Sequence, residues 1–269
     1  MKSFLKEFLL RLNLPNKKEI MLSINSLKKR DYFIFLIALT VLIFSILGII
    51  NKINNNFSIQ IPAYGGTIKE GVVGNPRFIN PLLALSDADK DLTAIVYSGH
   101  IKRNINGDLV PDLAQSYEIS KDGLSYTFTL RDDIYFHDKK QVTVDDVLFT
   151  IESARDSLIK SPKKINWDGV LVEKIGDNKI KFTLKQQYAA FLENTTIGIL
   201  PKHLWNNISP NQWNLSDLNI NPIGSGPFKI TDINKKAGIP ISYTLTAFTK
   251  YVDGRPFIKK LKFNFYDNE

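Results

Sequence analysis

The feature that most limits how this chain can fold is a long apolar run near its N-terminus. From Asp31 to Ile50 the sequence reads DYFIFLIALTVLIFSILGII, and after Asp31 it carries no charge. A helix rising about 1.5 Å per residue needs about 20 apolar residues to cross a bilayer. A core helix of a soluble protein rarely runs this long without a polar face. The run therefore predicts a transmembrane helix over residues 31–50.

Basic residues gather on one side of this run. Lys28, Lys29 and Arg30 precede it directly, whereas Lys52 is the only cation close behind it. Because Lys and Arg stay on the cytoplasmic side of a membrane span, residues 1–30 are predicted to be a cytoplasmic basic tail. The chain would then pass the cell membrane once, with its C-terminal domain outside. A cleaved signal peptide is the alternative, which the long N-terminal region and the lack of an A-x-A site disfavour.

The distribution of charge argues against a nucleic-acid partner. The formal net charge is +8, of which residues 1–54 carry +6 and the remaining residues +2. The part beyond the span is close to neutral, and no nucleic acid is expected to bind it. The chain has no cysteine, which excludes disulfides, thiolate metal sites and a lipidated N-terminal cysteine. Membrane lipid is therefore expected to contact the chain through residues 31–50.

After the run, short strands outnumber helices. Residues 51–64 are polar and are predicted to be a linker. Period-two alternation and turn residues predict strands at 67–73, 114–119, 124–130, 170–175, 179–184, 241–248 and 258–266. Helical spacing marks residues 87–100, and a capping box begins a helix at Thr143. Hairpins dominate and regular βαβ alternation is missing, so the predicted class is α+β with mixed sheets.

Acidic and histidine residues offer no convincing catalytic or metal site. Asp145 and Asp146 are adjacent, and adjacent side chains on a helix point apart, so helix capping is favoured over acid–base chemistry. The three histidines are far apart in sequence, with no H-x-x-x-H spacing. No catalytic residue and no metal ligand is predicted.

A glycine-rich segment also fails as a cofactor loop. Gly224–Ser225–Gly226 is followed by Pro227, which lacks an amide donor, and then by residues typical of a strand. A G-x-S-x-G nucleophile elbow is missing as well. No cofactor is expected, and an anchored hydrolase is the least favoured of the possible functions.

Several segments occur in an order that is similar to one known family. They are Gly65–Thr67, Phe78–Leu82, Val110–Tyr117, Asp122–Asp132, Phe136–Asp138, Thr143–Val147, Gly224–Phe228 and Tyr251–Pro256. Their order resembles the extracytoplasmic solute-binding proteins of the peptide/nickel type, often called family 5. The resemblance implies the first lobe of a periplasmic-binding-protein type II-like fold with mixed β-sheets. Where the family usually has Gly after the Phe-His-Asp stretch, this chain has Lys139.

The resemblance also implies a function. Family members close two lobes around a solute like a hinged clamp, and they are not enzymes. The chain is therefore expected to be the substrate-binding component of an ABC importer, binding peptides or a related small solute outside the cell membrane. ABC permease subunits would be its partners. A membrane-anchored sensor or scaffold receptor that reuses the lobe without transport is the alternative.

Ligand-facing residues follow from the same resemblance. The family pairs one segment after the Asn-Pro motif with the peptide backbone, and this segment maps onto Ala84–Ala88. Leu85, Ser86 and Asp87 are thus the candidate ligand-binding residues, and a surface loop entering the next helix is the competing interpretation. The family is considerably longer than this chain. Residues 65–269 are therefore expected to be a partial solute-binding domain, mostly the first lobe, in a chain that is a fragment or a short protein.

Overall fold

The structure is a computed structural model that describes residues 16, 18, 21–22, 26, 28–57 and 62–267. The chain divides into two compact units, Met1–Ile61 and Pro62–Glu269. The first is dominated by one long helix. The second contains the sheets and the core, and it is called the domain below.

The first unit contains helix α1, Lys29–Phe57. Within it Lys29–Ile53 is long and apolar enough to cross a membrane, judged by length and composition. Large apolar side chains such as Phe33, Phe44 and Ile49 are exposed. The helix runs seven residues past Ile50, so the first half of the predicted linker at 51–64 is helical instead. The predicted cytoplasmic tail, residues 1–30, lies mostly outside the described residues.

The domain consists mainly of strands. Its strands are β1 (Gly65–Val73), β2 (Ile101–Arg103), β3 (Leu109–Pro111), β4 (Ala114–Ile119), β5 (Ser125–Leu130), β6 (Leu171–Ile175), β7 (Lys179–Thr183), β8 (Phe228–Lys236), β9 (Ile239–Ala247) and β10 (Ile258–Tyr266). Its α-helices are α2 (Asp87–Val96), α3 (Val144–Arg155), α4 (Lys164–Trp167), α5 (Phe191–Asn194) and α6 (Lys202–Trp205). Two 3₁₀ helices lie at Pro210–Leu215 and Asp217–Asn219.

The strands form three sheets. One has the order β1-β10-β9-β8, a second pairs β2 with β3, and the third has the order β4-β5-β7-β6. β1 runs parallel to β10, with Gly65 opposite Ile258, while the neighbouring pairs are antiparallel. The first and last strands of the domain are therefore neighbours. One mixed sheet and two antiparallel sheets, with helices between their strands, confirm the predicted α+β class.

The core forms where the alternation of the strands predicts it. On β5, Tyr126, Phe128 and Leu130 are buried while the residues between them are partly exposed. β7 pairs with this strand and buries Ile180 and Phe182. Side chains at successive positions of a strand point to opposite faces, so one face of this sheet is apolar.

One helix start and one turn in the domain depend on particular side chains. The predicted capping box at Thr143 is present, and the Asp146 carboxylate accepts hydrogen bonds from the Thr143 amide at 2.8 Å and from the Lys202 amide at 2.9 Å. Lys139, which stands where the resemblance leads one to expect Gly, has φ 74°. This is the left-handed region, which costs a residue with a Cβ about 1–2 kcal/mol. This turn therefore keeps the left-handed backbone conformation that suits Gly, and Lys139 adopts it at a cost in free energy.

Candidate functional site

One concave region of the domain could receive a small molecule. It is a cavity of about 580 Å³. Helix α2, strand β2 and the segments 163–167 and 193–198 contribute its lining, together with Pro227 and Tyr251. This volume falls within the range of small-molecule sites, about 300–1,000 Å³.

One face of α2 and the residue that follows it form part of the lining. Lys90, Thr93, Ala94 and Tyr97 all border the cavity. They follow the spacing i, i+3, i+4 and i+7, which places side chains above one another on one side of a helix. The opposite side buries Leu92 and Val96 in the core. The helix therefore presents a polar stripe to the cavity while its apolar side packs beneath it.

The start of α2 is fixed by Asp89. Its carboxylate accepts hydrogen bonds from the backbone amides of Arg77 at 2.7 Å and Phe78 at 2.8 Å, and from that of Ser86 at 3.2 Å. The Ser86 hydroxyl in turn accepts from the Asp89 amide, which completes a capping box. Burial by itself raises the pKa of Asp89, but the hydrogen bonds outweigh it and the pKa is lowered. The ionised carboxylate holds the loop at residues 77–86 against the helix.

Two hydroxyl groups in the lining lack partners. Thr93 Oγ1 and the Tyr97 hydroxyl are buried and form no hydrogen bond within the described part of the chain. Burial raises the pKa of Tyr97, so this phenol stays neutral at physiological pH and keeps its proton to donate. Leaving a buried polar group unpaired costs about 1–3 kcal/mol. Both residues contribute other atoms to the cavity lining, while the hydroxyls themselves are closed off from it.

A charged cluster contributes to the same lining. Lys102 Nζ donates to the Tyr251 hydroxyl at 2.9 Å, contacts the Asp253 carboxylate and lies 3.7 Å from the buried Asp112 carboxylate. Desolvation opposes the charge on Lys102, but its partners Asp253, Tyr251 and Asp112 raise its pKa. Burial raises the pKa of Asp112, against the influence of Lys102. The cluster fixes the Tyr251–Asp253 turn to strand β2.

Two further cations border the cavity. Arg103 pairs with the Glu193 carboxylate, and both side chains are about half exposed. Lys163 also lines the cavity and forms no ion pair within the described residues. Each acidic residue of the lining therefore faces a Lys or Arg partner, whereas one lysine has no acid beside it.

The glycine-rich segment set aside as a phosphate loop has a packing role next to the cavity. A Cβ at Gly224 would lie 2.1 Å from the Val96 carbonyl oxygen, and one at Gly226 would lie 2.5 Å from the Ile95 carbonyl oxygen. The Gly226 amide donates to the Val96 carbonyl at 2.8 Å. Only residues without a Cβ allow this approach. The two glycines therefore hold the segment against the end of α2, at Tyr97.

The three predicted ligand residues lie at the start of α2, beside the cavity lining. Leu85 and Asp87 are exposed, and the Asp87 carboxylate pairs with Lys90 at 3.1 Å. Ser86 is the residue that caps the helix. Their sequence neighbours Ala84 and Lys90 line the cavity, whereas Leu85, Ser86 and Asp87 do not. Their role in binding stays a prediction.

The three histidines lie in different surroundings. His100 is buried against Phe128 and Phe182, and burial lowers its pKa to about 4. His137 Nε2 lies 3.0 Å from the Gly226 carbonyl oxygen, while His203 lies 2.6 Å from Asp138. Among the described residues, no group of three or more His, Asp or Glu side chains is arranged to hold a metal ion.

Most of the lining was missed by reasoning from the sequence. Lys102, Asp112 and Tyr251 come from segments separated by up to 149 residues, and only the fold brings them together. A signal was present, because Asp112 and Tyr251 lie in segments that carry the family resemblance. For Thr93 and Tyr97, the sequence predicted the helix but not which face would border a cavity.

The comparison with protein families decides the assignment. A model described as bacterial extracellular solute-binding proteins, family 5, middle, matches residues 108–269. The chain belongs to family 5 of the bacterial extracellular solute-binding proteins. The oligopeptide-binding protein AppA of Bacillus subtilis is 32% identical over 206 residues, which cover 73% of this chain and 36% of AppA.

Solved family 5 structures share the fold. The structure of Bacillus subtilis AppA in complex with a nonapeptide matches with a TM-score of 0.70 and 30% identity, over 77% of this chain and 41% of that one. The ABC transporter substrate-binding protein CtaP of Listeria monocytogenes matches with a TM-score of 0.68 and 34% identity, also over 77% of this chain and 41% of that one. The predicted periplasmic-binding-protein fold is thereby confirmed. The chain spans well under half the length of these family 5 proteins.

Proposed function

We propose that this chain is the substrate-binding component of an ABC importer and binds peptides, or a related small solute, outside the cell membrane. The cavity of about 580 Å³ carries the proposal, because its lining combines apolar walls with charged side chains that ion pairs hold in place. Such a site holds a ligand by burial and a few placed hydrogen bonds. The role is one of binding, without catalysis, with ABC permease subunits as partners.

The similar proteins support this role. The most similar relatives include an oligopeptide-binding protein and an ABC transporter substrate-binding protein, and one solved structure holds a nonapeptide. The names of these proteins favour transport over the sensor or scaffold alternative. Because the chain spans 36% of AppA, the activity of the whole relative is extended to this chain as a proposal only.

The proposal includes an arrangement along the chain. Residues 1–30 lie in the cytoplasm, residues 31–50 cross the membrane, residues 51–64 form a partly helical linker, and residues 65–269 form a partial binding domain outside. The exposed apolar side chains of α1 support the span, because such a surface is stable in lipid and costly in water. The three cations Lys28, Lys29 and Arg30 support the direction.

Leu85, Ser86 and Asp87 are proposed to contact a ligand that extends beyond the cavity. Ala84 and Lys90, which flank them, both line the cavity. A peptide leaving the cavity past the start of α2 would therefore run along these three residues. Asp87 has an exposed carboxylate, so Asp87→Ala is expected to change peptide affinity without lowering the melting temperature.

Filling the cavity tests the proposed function. We expect the full-length protein in detergent to bind short peptides saturably in calorimetry. Ala94→Trp places an indole in the cavity and is expected to abolish binding. The matched control is Asp91→Trp, which lies on the same helix at an exposed position outside the lining.

Two outcomes contradict the proposal. One is that no peptide of two to nine residues binds to the protein. The other is equal affinity in the Ala94→Trp and Asp91→Trp variants when both keep the melting temperature of the unmodified protein.

A further inference from the structure

Two residues that line the cavity are connected to one buried histidine. Pro227 and Tyr251 belong to the lining, whereas His137 does not. The His137 ring packs edge-on against the Phe248 ring, with centroids 4.9 Å apart. The Phe248 amide donates to the Pro227 carbonyl at 2.8 Å, and the Tyr251 amide donates to the Phe248 carbonyl at 3.3 Å. Through Phe248, His137 is therefore connected to both of these lining residues.

His137 also binds the segment 224–227, which contains the two close-packed glycines, at three points. Its backbone amide donates to the Gly224 carbonyl at 2.8 Å. Its Nε2 lies 3.0 Å from the Gly226 carbonyl oxygen, and its Nδ1 lies 3.4 Å from the Gly224 amide nitrogen. Because a carbonyl oxygen accepts and an amide N–H donates, these partners place the proton on Nε2 and leave Nδ1 as the acceptor. The geometry therefore suits the neutral ring in one tautomer.

Burial favours the same neutral form. His137 is 7% exposed, and desolvation lowers its pKa to about 4. Two charged groups act on the ring in opposite directions, since Lys229 lowers the pKa of His137 and Asp138 raises it. The Asp138 carboxylate is itself in contact with His203. At neutral pH the His137 ring is therefore uncharged and can form both of its side-chain hydrogen bonds.

The same segment is also fixed to the end of α2. The Gly226 amide donates to the Val96 carbonyl at 2.8 Å, and Cβ atoms at Gly224 and Gly226 would block this approach. The next residue along α2, Tyr97, lines the cavity. Gly226 therefore links His137 to the end of α2, through its carbonyl on one hand and its amide on the other.

We infer that His137 is a positioning residue for the ligand site, which holds residues 224–227 against α2 and so fixes Pro227 in the cavity wall. This inference rests on the proposed function and adds a residue, outside the lining, on which ligand affinity depends. A wall segment that is already in place needs no ordering when a ligand binds, whereas a loose segment lowers the affinity. His137 is therefore expected to affect binding without touching the ligand.

A general structural role for His137 is the competing interpretation. His100 illustrates such a role, because its buried ring packs against Phe128 and Phe182 in the core. His137, in contrast, uses both ring nitrogens to bind the backbone of one segment beside the cavity. The two interpretations differ in what a conservative substitution does to affinity, and in whether the segment loosens before the rest of the domain.

Two substitutions of His137 separate the interpretations. His137→Phe keeps an aromatic ring against Phe248 but loses both side-chain hydrogen bonds. Calorimetry on the full-length protein is expected to show about tenfold weaker peptide binding in this variant. His137→Gln keeps a neutral N–H that can donate to the Gly226 carbonyl, and its affinity is expected to stay within about twofold of that of the unmodified protein.

Ile180→Val is the control for a general loss of stability. Ile180 is fully buried on β7 and lies outside the lining. Removing a buried methyl group is expected to lower the melting temperature and to leave the peptide affinity unchanged. A loss of affinity in Ile180→Val as large as that in His137→Phe would show that affinity follows global stability, and the inference would be wrong.

Hydrogen exchange reports on the segment itself without any ligand. The Gly226 amide is expected to exchange about tenfold faster in His137→Phe than in the unmodified protein, because its segment opens locally. The Phe128 amide, on the central strand β5, is expected to change by a smaller factor. Equal acceleration at the two amides would show that His137 stabilises the domain as a whole, which contradicts the inference.

The outcomes separate this inference from the function on which it rests. If peptides bind and His137→Phe keeps the affinity of the unmodified protein, the inference is overturned and the proposed function stands. A loss of affinity in His137→Gln as large as that in His137→Phe also overturns it, because the bond to Gly226 then does not position the segment. If no peptide binds to the unmodified protein, the proposed function is wrong and the inference falls with it.

Discussion

Helix α1 and the domain use the same apolar residues in opposite ways. In α1, Phe44 and Ile49 are 70% and 59% exposed, whereas Phe128 and Phe182 of the domain are fully buried. The difference follows from how the apolar residues are spaced along the sequence of each region. In α1 the apolar residues surround the whole helix and leave no polar side for water, which is the pattern expected of the proposed span. In the domain they alternate with polar residues, which leaves one face for a core and one for water.

The largest expected difference between the two regions is the loss of stability when a phenylalanine is truncated to alanine. Phe182 is fully buried and contacts the rings of Phe128, Trp167 and Phe191. Phe182→Ala is expected to lower the free energy of unfolding by about 4 kcal/mol, because it leaves a cavity in the core. All three tryptophans lie in the domain, so urea unfolding followed by their fluorescence reports on it alone.

Phe44→Ala is the matched control for that experiment. It removes the same atoms from an exposed position in α1 and is expected to leave the domain transition unchanged. A comparable loss of stability in the two variants would contradict the separate roles of the two regions.

A charge tests the environment of α1. Leu42→Arg places an arginine in the middle of the predicted span, which costs about 3 kcal/mol in a bilayer. A larger share of the protein is therefore expected to be released from membranes by alkaline carbonate. Leu215→Arg makes the same change at an exposed domain position and is expected to leave the fractionation unchanged. Equal fractionation of the two variants would argue against the span.

Lowering the pH is expected to destabilise the domain through its buried histidines. Burial lowers the pKa of His100 from 6.5 to about 4. Between these pH values the unfolded chain binds a proton that the folded chain does not, so stability falls as pH falls through this window. The effect amounts to about 3 kcal/mol for such a shift.

His137 has a similarly lowered pKa, also through burial, and it adds a second contribution over the same window. His100→Leu is therefore expected to remove about half of the stability lost between pH 6.5 and 4, as measured by urea unfolding. An unchanged slope in this variant would show that His100 is not buried in the neutral form.

The smallest effect concerns one turn of the domain. Lys139→Gly relieves the positive φ of Lys139 and is expected to raise the free energy of unfolding by about 1 kcal/mol. Lys140→Gly, the neighbouring control without a positive φ, is expected to have no stabilising effect. If Lys139→Gly is destabilising, the strain assigned to this turn is absent.

The sequence predicted those parts of the fold that depend on neighbouring residues. The hairpins at β4–β5 and β6–β7 follow from alternation and turn residues, and the start of α3 follows from its capping box. The pairing of β1 with β10 could not be predicted in the same way, because about 190 residues separate the paired positions. The cavity depends on that kind of long-range contact, so only the resemblance pointed towards it.

The central proposal is that α1 anchors the chain in the membrane with the domain on the outer side, and single cysteines test it most directly. The chain has none of its own, so Ile105→Cys, fully exposed in the domain, and Lys18→Cys, exposed near the N-terminus, each provide a unique thiol. A membrane-impermeant maleimide is expected to label Ile105→Cys in intact spheroplasts and Lys18→Cys only after lysis. Protection of Ile105→Cys until lysis would contradict the claim.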